Sequence, residues 1–255
     1  MASIDLNCDM GEGCGNDAEL MKYISSANVA CGFHAGDPET MRTTVELALE
    51  SGVAIGAHPG FPDPANFGRR SMQISPMEVF DIVGEQIRAL DIICRAAGAV
   101  LHHVKPHGAL YNQAAKDREL AAVIAESIVK FDPSLILFGL SGSFLISEAK
   151  AVGLVTASEI FADRTYQADG SLTSRTESNA LIANEEIACA QVLEMIRSKS
   201  VTATTGETIS ITADTVCIHG DGEHAVEFAR VIAGKLASAG VQISSPAFSA
   251  RPSGG

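Results

Sequence analysis

Short apolar runs alternate with longer amphipathic segments along most of this chain. The runs fall at 4–9, 26–32, 53–57, 100–105, 135–140, 154–160 and 215–219. The segments fall at 17–24, 38–51, 76–97, 117–130, 142–152, 181–199 and 222–239. Runs of this length read as strands and segments of this length as helices. Strand and helix in regular succession argue a parallel sheet covered by helices, an α/β fold. Asn16, Asp37 before Pro38, and Ser75 before Pro76 mark helix starts. Gly52, Gly98, Gly153 and Gly240 mark ends. Seven such units in 255 residues suggest one barrel, or a barrel with a gap. Periodicity alone does not separate a barrel from an open sheet. The domain is placed at residues 1–245, with 246–255 as a flexible C-terminal tail.

Two stretches break the rhythm. Residues 59–74 and 162–179 are long loops, rich in Pro and Gly or in polar residues, of the kind that act as lids or binding loops. Residues 200–213 alternate like a small hairpin turning at a glycine.

A formal charge of −13 argues against nucleic acid and anionic membrane as partners. No apolar run approaches the ~18 residues that a membrane span needs. The start, "MASIDLNCDMGEG", lacks a basic stretch followed by an apolar core, so no signal peptide is expected. None of the six cysteines forms a CxxC pair, which argues against a structural zinc site. Reduced thiols in a cytoplasm are expected, with Cys8 and Cys31 as packing residues.

Side chains alternate along a strand, so each run can be divided by face. Ile4, Leu6 and Cys8 share one face of the first run, and Asp5, Asn7 and Asp9 share the other. The later runs place together Asn28, Ala30, Gly32 and His34; Ala54, Gly56 and His58; Leu101, His103 and Lys105; and Cys217, His219 and Asp221. Helix-covered parallel sheets are normally apolar on both faces. A recurrent polar face points instead to a polar interior opening at the strand C-termini, where barrels place active sites.

Several chemistries fit these tips. Asp9, Glu12 and Glu159 are candidate acids or bases. Lys105 is a candidate anchor for an anion, a stabiliser of a developing oxyanion with His107, or a nucleophile if desolvated; a structural ion pair is the plainer reading. Asn7, His34, His58, Arg164, His219 and Asp221 are candidate substrate-binding groups. A divalent metal fits the donor types, with Asp9, His34 and His58 as the suggested ligands. The spacing is diffuse, and in "HVKPH" Pro106 forbids the helix a zincin site requires. Arg69 and Arg70 read as ordinary loop charges. "GEGCGN" at 11–16 and "GLSGS" at 139–143 offer amides to an anion but match no nucleotide-binding spacing.

The strings "IDLNCDMGE", "NVACGFHAGDP", "GAHPGFPD", "FGRR", "VKPHGALYN", "EIFADRTY", "DGSLTSR" and "CIHGDG" follow one another in this order. Together they closely resemble the LamB/YcsF family over about residues 3–243. The resemblance implies a seven-stranded (β/α) barrel of the glycoside hydrolase/deacetylase type. It implies the role of the A subunit in an ATP-dependent 5-oxoprolinase, acting with the B and C subunits. That reaction opens the lactam of 5-oxo-L-proline with water to give L-glutamate, as ATP becomes ADP and phosphate. The resemblance supplies matching positions, and the residue roles above remain readings of residue type. No Walker motif is present, so ATP sits at the barrel mouth without one or on a partner. Where the family has a glycine-containing turn after "DGSLTSR", this chain has Ser178 and Asn179, and a similar loop is expected because asparagine tolerates a left-handed backbone. Two alternatives remain open: a metal-dependent deacetylase of N-acetyl sugars, and a non-catalytic substrate-binding subunit.

Overall fold

The polar alternation of the first strand sets the inside of the molecule. The computed structural model describes residues 2–218 and 224–247. Its elements run β1 (Ala2–Met10), α1 (Asp17–Leu20), β2 (Ser26–Ala30), α2 (Pro38–Ser51), β3 (Ala54–His58), α3 (Pro76–Ala96) and β4 (Leu101–Val104). Then follow α4 (Gly108–Ala114), α5 (Arg118–Phe131), β5 (Ile136–Leu140), α6 (Phe144–Ala151), β6 (Val155–Phe161) and α7 (Glu185–Ser198). The chain continues through β7 (Ser200–Thr202), β8 (Thr208–Ser210), β9 (Thr215–Ile218), α8 (Ala225–Ser238) and β10 (Val241–Ile243).

Strands β1 to β6 pair in sequence order, all parallel, and β9 pairs with both β6 and β1. This closes a seven-stranded parallel barrel. The register explains how β10 fits as well: β9 pairs with Asp5–Cys8 of β1, and β10 pairs with Ala2–Ile4 just below. The hairpin expected at 200–213 is β7 and β8, antiparallel.

Two apolar regions hold the barrel. The larger lies between strands and helices and includes Ile4, Leu6 and Cys8 from β1 with Val83, Ile87 and Leu90 from α3. The smaller is Ile136, Phe138 and Ala157, with Val155 against them. Phe138 stacks on His103 of the neighbouring β4 at 4.1 Å, which puts this patch inside the bore.

Helix ends follow local chemistry. Asp37 accepts from Thr40 N at 2.8 Å, and Ser75 forms a capping box with Glu78. Asn16 makes no side-chain cap, and α1 is a single turn rather than the longer helix expected at 17–24. Helix α4 is not among the expected helices. Asn179 does not turn left-handed: the non-glycine residues with positive φ among those described are Phe67 and Lys199. His102 Nε2 donates to Pro246 O at 2.9 Å, so the chain is still held at the start of the expected tail. Residues 248–255 lie outside the described residues.

Gly234 lies within α8 and has nothing within 4 Å of where a Cβ would stand. Gly234→Ala is expected to stabilise the fold by about 0.5–1 kcal/mol, because it restricts the unfolded chain at no cost to packing. Chemical denaturation of the two proteins reads this directly.

Candidate active site at the barrel mouth

The bore carries its polar groups in layers. Deepest is Asp5, which accepts from the hydroxyls of Ser25 (2.6 Å), Ser26 (2.7 Å) and Thr215 (2.5 Å). Burial pushes its carboxyl up to about 6 despite those three bonds. A folded-state pKa raised above the unfolded value of 3.8 means the native protein holds the proton more tightly. The associated stability is full below the unfolded value and is lost as pH rises through about 6. Asp5→Asn removes this term. The stability difference between the variant and the parent should therefore shift in favour of the variant as pH rises from 4 to 7. A flat difference in urea midpoints across that range would contradict it.

The next layer is a connected amide network. Asn7 Nδ2 donates to Glu159 Oε1 (2.9 Å) and Thr215 Oγ1 (2.6 Å). Asn28 Nδ2 donates to Asn7 Oδ1 (2.8 Å) and Asp9 Oδ1 (2.9 Å). His103 Nε2 lies 2.8 Å from Asn28 Oδ1. Gly56 leaves the room for that ring, since a Cβ there would stand 2.1 Å from His103 Nε2.

Above this lies Lys105, just past the end of β4. Its ammonium lies 2.9 Å from both Asp9 Oδ1 and Glu159 Oε1, 3.2 Å from Asn7 Oδ1 and 3.1 Å from Cys217 Sγ. Burial alone would push its pKa down, but Asp9, Cys217 and Glu159 together hold it well above the ordinary lysine value. Lys105 is therefore a fixed cation and not a neutral nucleophile. Glu159 is fully buried and accepts from Tyr111 Oη at 2.7 Å on its other oxygen.

The uppermost layer gathers His34, His58 and His107 around Glu12. Glu12 Oε1 lies 3.1 Å from His34 Nε2, 3.3 Å from His107 Nδ1 and 3.9 Å from His58 Nε2. His34 and His107 stack in parallel at 3.7 Å. Burial, then neighbouring His58, pushes His34 down to about 3, and burial with His58 and His34 pushes His107 down to about 2. The ligand atoms of Glu12, His34, His58 and His107 all lie within 4.8 Å of one another. Of the three residues suggested as metal ligands, this group contains His34 and His58. Asp9 stands beside it, Oδ2 at 3.3 Å from His58 Nε2.

A cavity of about 840 Å³ opens over these layers, walled by the two long loops. Asp9, Glu12, His58, Lys105, His107 and Arg164 line it. Asn7, His34 and Glu159 sit beneath or behind that lining. His219 and Asp221 lie outside the described residues. Arg164 is buried, with Nε on Ala180 O (3.3 Å) and Nη2 on Thr173 O (2.5 Å). Of the loop arginines that read as ordinary charges, Arg69 lines the cavity, whereas Arg70 is exposed, 3.8 Å from Asp63. The two glycine-bearing turns serve the fold: Gly11 N donates to Asp17 Oδ2 at 2.8 Å, and Ser143 N to Leu140 O at 3.0 Å.

Sequence reasoning misses Tyr111, Cys217 and Arg175 as site groups. Cys217 falls on a polar face beside His219, and that parity is the available signal. Tyr111 lies on α4, whose seven residues give too little periodicity to register as a helix. Arg175 ends the quoted string "DGSLTSR" and lines the cavity.

Comparison with known proteins agrees with this fold. The curated A subunit of 5-oxoprolinase from Tolumonas auensis is 57% identical over 95% of this chain and 99% of its own length. That of Brevibacillus brevis is 55% identical over 95% and 98%. The crystal structure of a lactam utilization protein from Thermus thermophilus superposes with a TM-score of 0.90 at 44% identity, covering 96% of this chain and all of the other. A T48 deacetylase solved with substrate shares only the fold, at TM-score 0.53 and 13% identity over 97% of this chain and 94% of that one. The profile of one family spans residues 4–251, so this chain belongs to the LamB/YcsF family.

Proposed function

We propose that this chain is the A subunit of an ATP-dependent 5-oxoprolinase, working with the B and C subunits in the cytoplasm. The complex opens the lactam of 5-oxo-L-proline with water to give L-glutamate, as ATP becomes ADP and phosphate. The names carried by the curated relatives and the Thermus structure support the reading. The observation that carries it is Lys105: a cation fixed between two carboxylates at the floor of an open polar cavity. Such a group suits a reaction in which negative charge develops on an acyl oxygen.

A lactam is a stable amide, and phosphoryl transfer from ATP to its oxygen makes the ring carbon electrophilic. Water then adds, a carboxylate takes its proton, and the C–N bond breaks as the nitrogen is protonated. The resulting acyl phosphate reacts with a second water to release phosphate and glutamate. Lys105 supplies the positive charge for the oxygen that gains charge, while His107, whose one N–H is turned to Phe67 O, lines the cavity. Asp9 and Glu12 line the cavity and serve the water. Glu159 already accepts from Tyr111, Asn7 and Lys105, and we assign it to positioning that lysine. Arg164, its plane set by two carbonyls, binds the substrate carboxylate.

The test is ATP-dependent release of glutamate from 5-oxoproline, by the purified chain alone and then with both partner subunits. Turnover that requires the partners is the expected result. No turnover in any combination would overturn the reading.

A further inference from the structure

We propose that Glu12, His34, His58 and His107 bind one divalent transition-metal ion of the zinc type at the mouth of the barrel. Two of the rings have their protons placed by their neighbours. A neutral imidazole carries one N–H. His58 Nδ1 lies 2.7 Å from Lys105 O, and His107 Nε2 lies 2.9 Å from Phe67 O. A carbonyl only accepts, so those nitrogens hold the protons. The other two, His58 Nε2 and His107 Nδ1, present lone pairs to each other across 2.9 Å. Facing lone pairs repel unless a positive centre lies between or beside them.

The surroundings specify which positive centre. Glu12 Oε1 lies 3.1 Å from His34 Nε2, 3.3 Å from His107 Nδ1 and 3.9 Å from His58 Nε2. One added proton serves one of these contacts, whereas a central cation serves all of them. A tetrahedral ion with bonds of ~2.0–2.1 Å holds its ligand atoms roughly 3.3–3.4 Å apart. Four of the six separations, 2.9, 3.1, 3.3 and 3.9 Å, bracket that value, and all six lie within 4.8 Å, so binding draws the ligands inward. Three imidazoles and one carboxylate favour zinc, cobalt or nickel over magnesium or calcium, which prefer oxygen. The carbonyl contacts of His58 and His107 are the outer hydrogen bonds that orient ligating histidines and fix their tautomers. His34 Nδ1 is buried and has no hydrogen-bond partner, so stacking on His107 positions that ring and leaves Nε2 directed at the cluster. With Glu12 as a ligand, the proton of the attacking water passes to Asp9.

The test strips the full chain with a chelator, then titrates it with Zn²⁺ by calorimetry and with Co²⁺ by visible absorption. One ion per chain and the intense absorption of four-coordinate cobalt are expected. His58→Gln and His107→Gln should each weaken binding by about 100-fold or more. Glu12→Gln, at a less buried position, gives an independent reading if a histidine variant fails to fold. No saturable binding of either ion would overturn the site and leave a shared proton between His58 and His107. Unchanged affinity in the folded variants would overturn it as well. None of these readings uses turnover, so the outcome is independent of the oxoprolinase reading.

Discussion

Lys105→Met should reduce turnover of 5-oxoproline by the assembled complex by about 10²–10³-fold or more, the cost of losing a donor aimed at developing charge. The same change leaves Asp9 and Glu159 without their shared cation. Removing one partner of a buried ion pair costs about 3–5 kcal/mol, so the variant will be less stable as well as less active. The two effects can be separated. Adding Glu159→Gln removes one orphaned charge while keeping the side chain's size, and should recover part of the lost stability. It should recover no turnover, because the cation is still missing. Measuring urea midpoints and kcat on the parent, both single variants and the double variant distinguishes the roles. Activity that returns together with stability would assign Lys105 to folding alone.

Gly56→Val should be strongly destabilising, because it puts a branched side chain where the bore has no room for one carbon. Even the first atom of a side chain at this position would stand 2.1 Å from His103 Nε2 and 2.2 Å from its Cδ2. That ring cannot simply swing away, since Phe138 stacks on it and Asn28 bonds it. Overpacking costs about 1–3 kcal/mol, and a displaced His103 leaves Asn28 Oδ1 without its donor for about 1–3 kcal/mol more. Asn28 also steadies Asn7 and Asp9, so surviving folded protein should lose activity too. A Gly56→Val protein with parental stability would mean that the bore is looser than the packing around His103 indicates.

Much of this architecture is legible in the order of residues alone. The seven strands fall within a residue or two of the apolar runs, because a buried parallel strand must be apolar on its helix-facing side. The odd residues of β1 are legible as interior groups for the same reason: Asp5, Asn7 and Asp9 have no other place to go. Closure is not legible, since a barrel and an open sheet demand the same periodicity. Arg164 resembles a free clamp in sequence, yet loop carbonyls from Thr173 and Ala180 hold much of its guanidinium. Glu159 resembles an available acid, and only the fold reveals Tyr111, Asn7 and Lys105 converging on it. Those partners come from sequence separations of 48 and 152 residues for Tyr111 and Asn7, which no local pattern encodes.

The half-polar bore also has a calorimetric signature. Exposing apolar surface raises heat capacity by about 0.45 cal/K/mol per Å², while exposing polar surface lowers it by about 0.26. Unfolding this barrel hydrates Asp5, Asn7, Asn28, His103 and Glu159 where an aliphatic bore would hydrate methyl groups. Its heat-capacity increment per residue should therefore fall below that of a barrel of equal length filled with valine and isoleucine. The resulting stability curve is flatter, and the protein loses stability more gradually on either side of its optimum temperature.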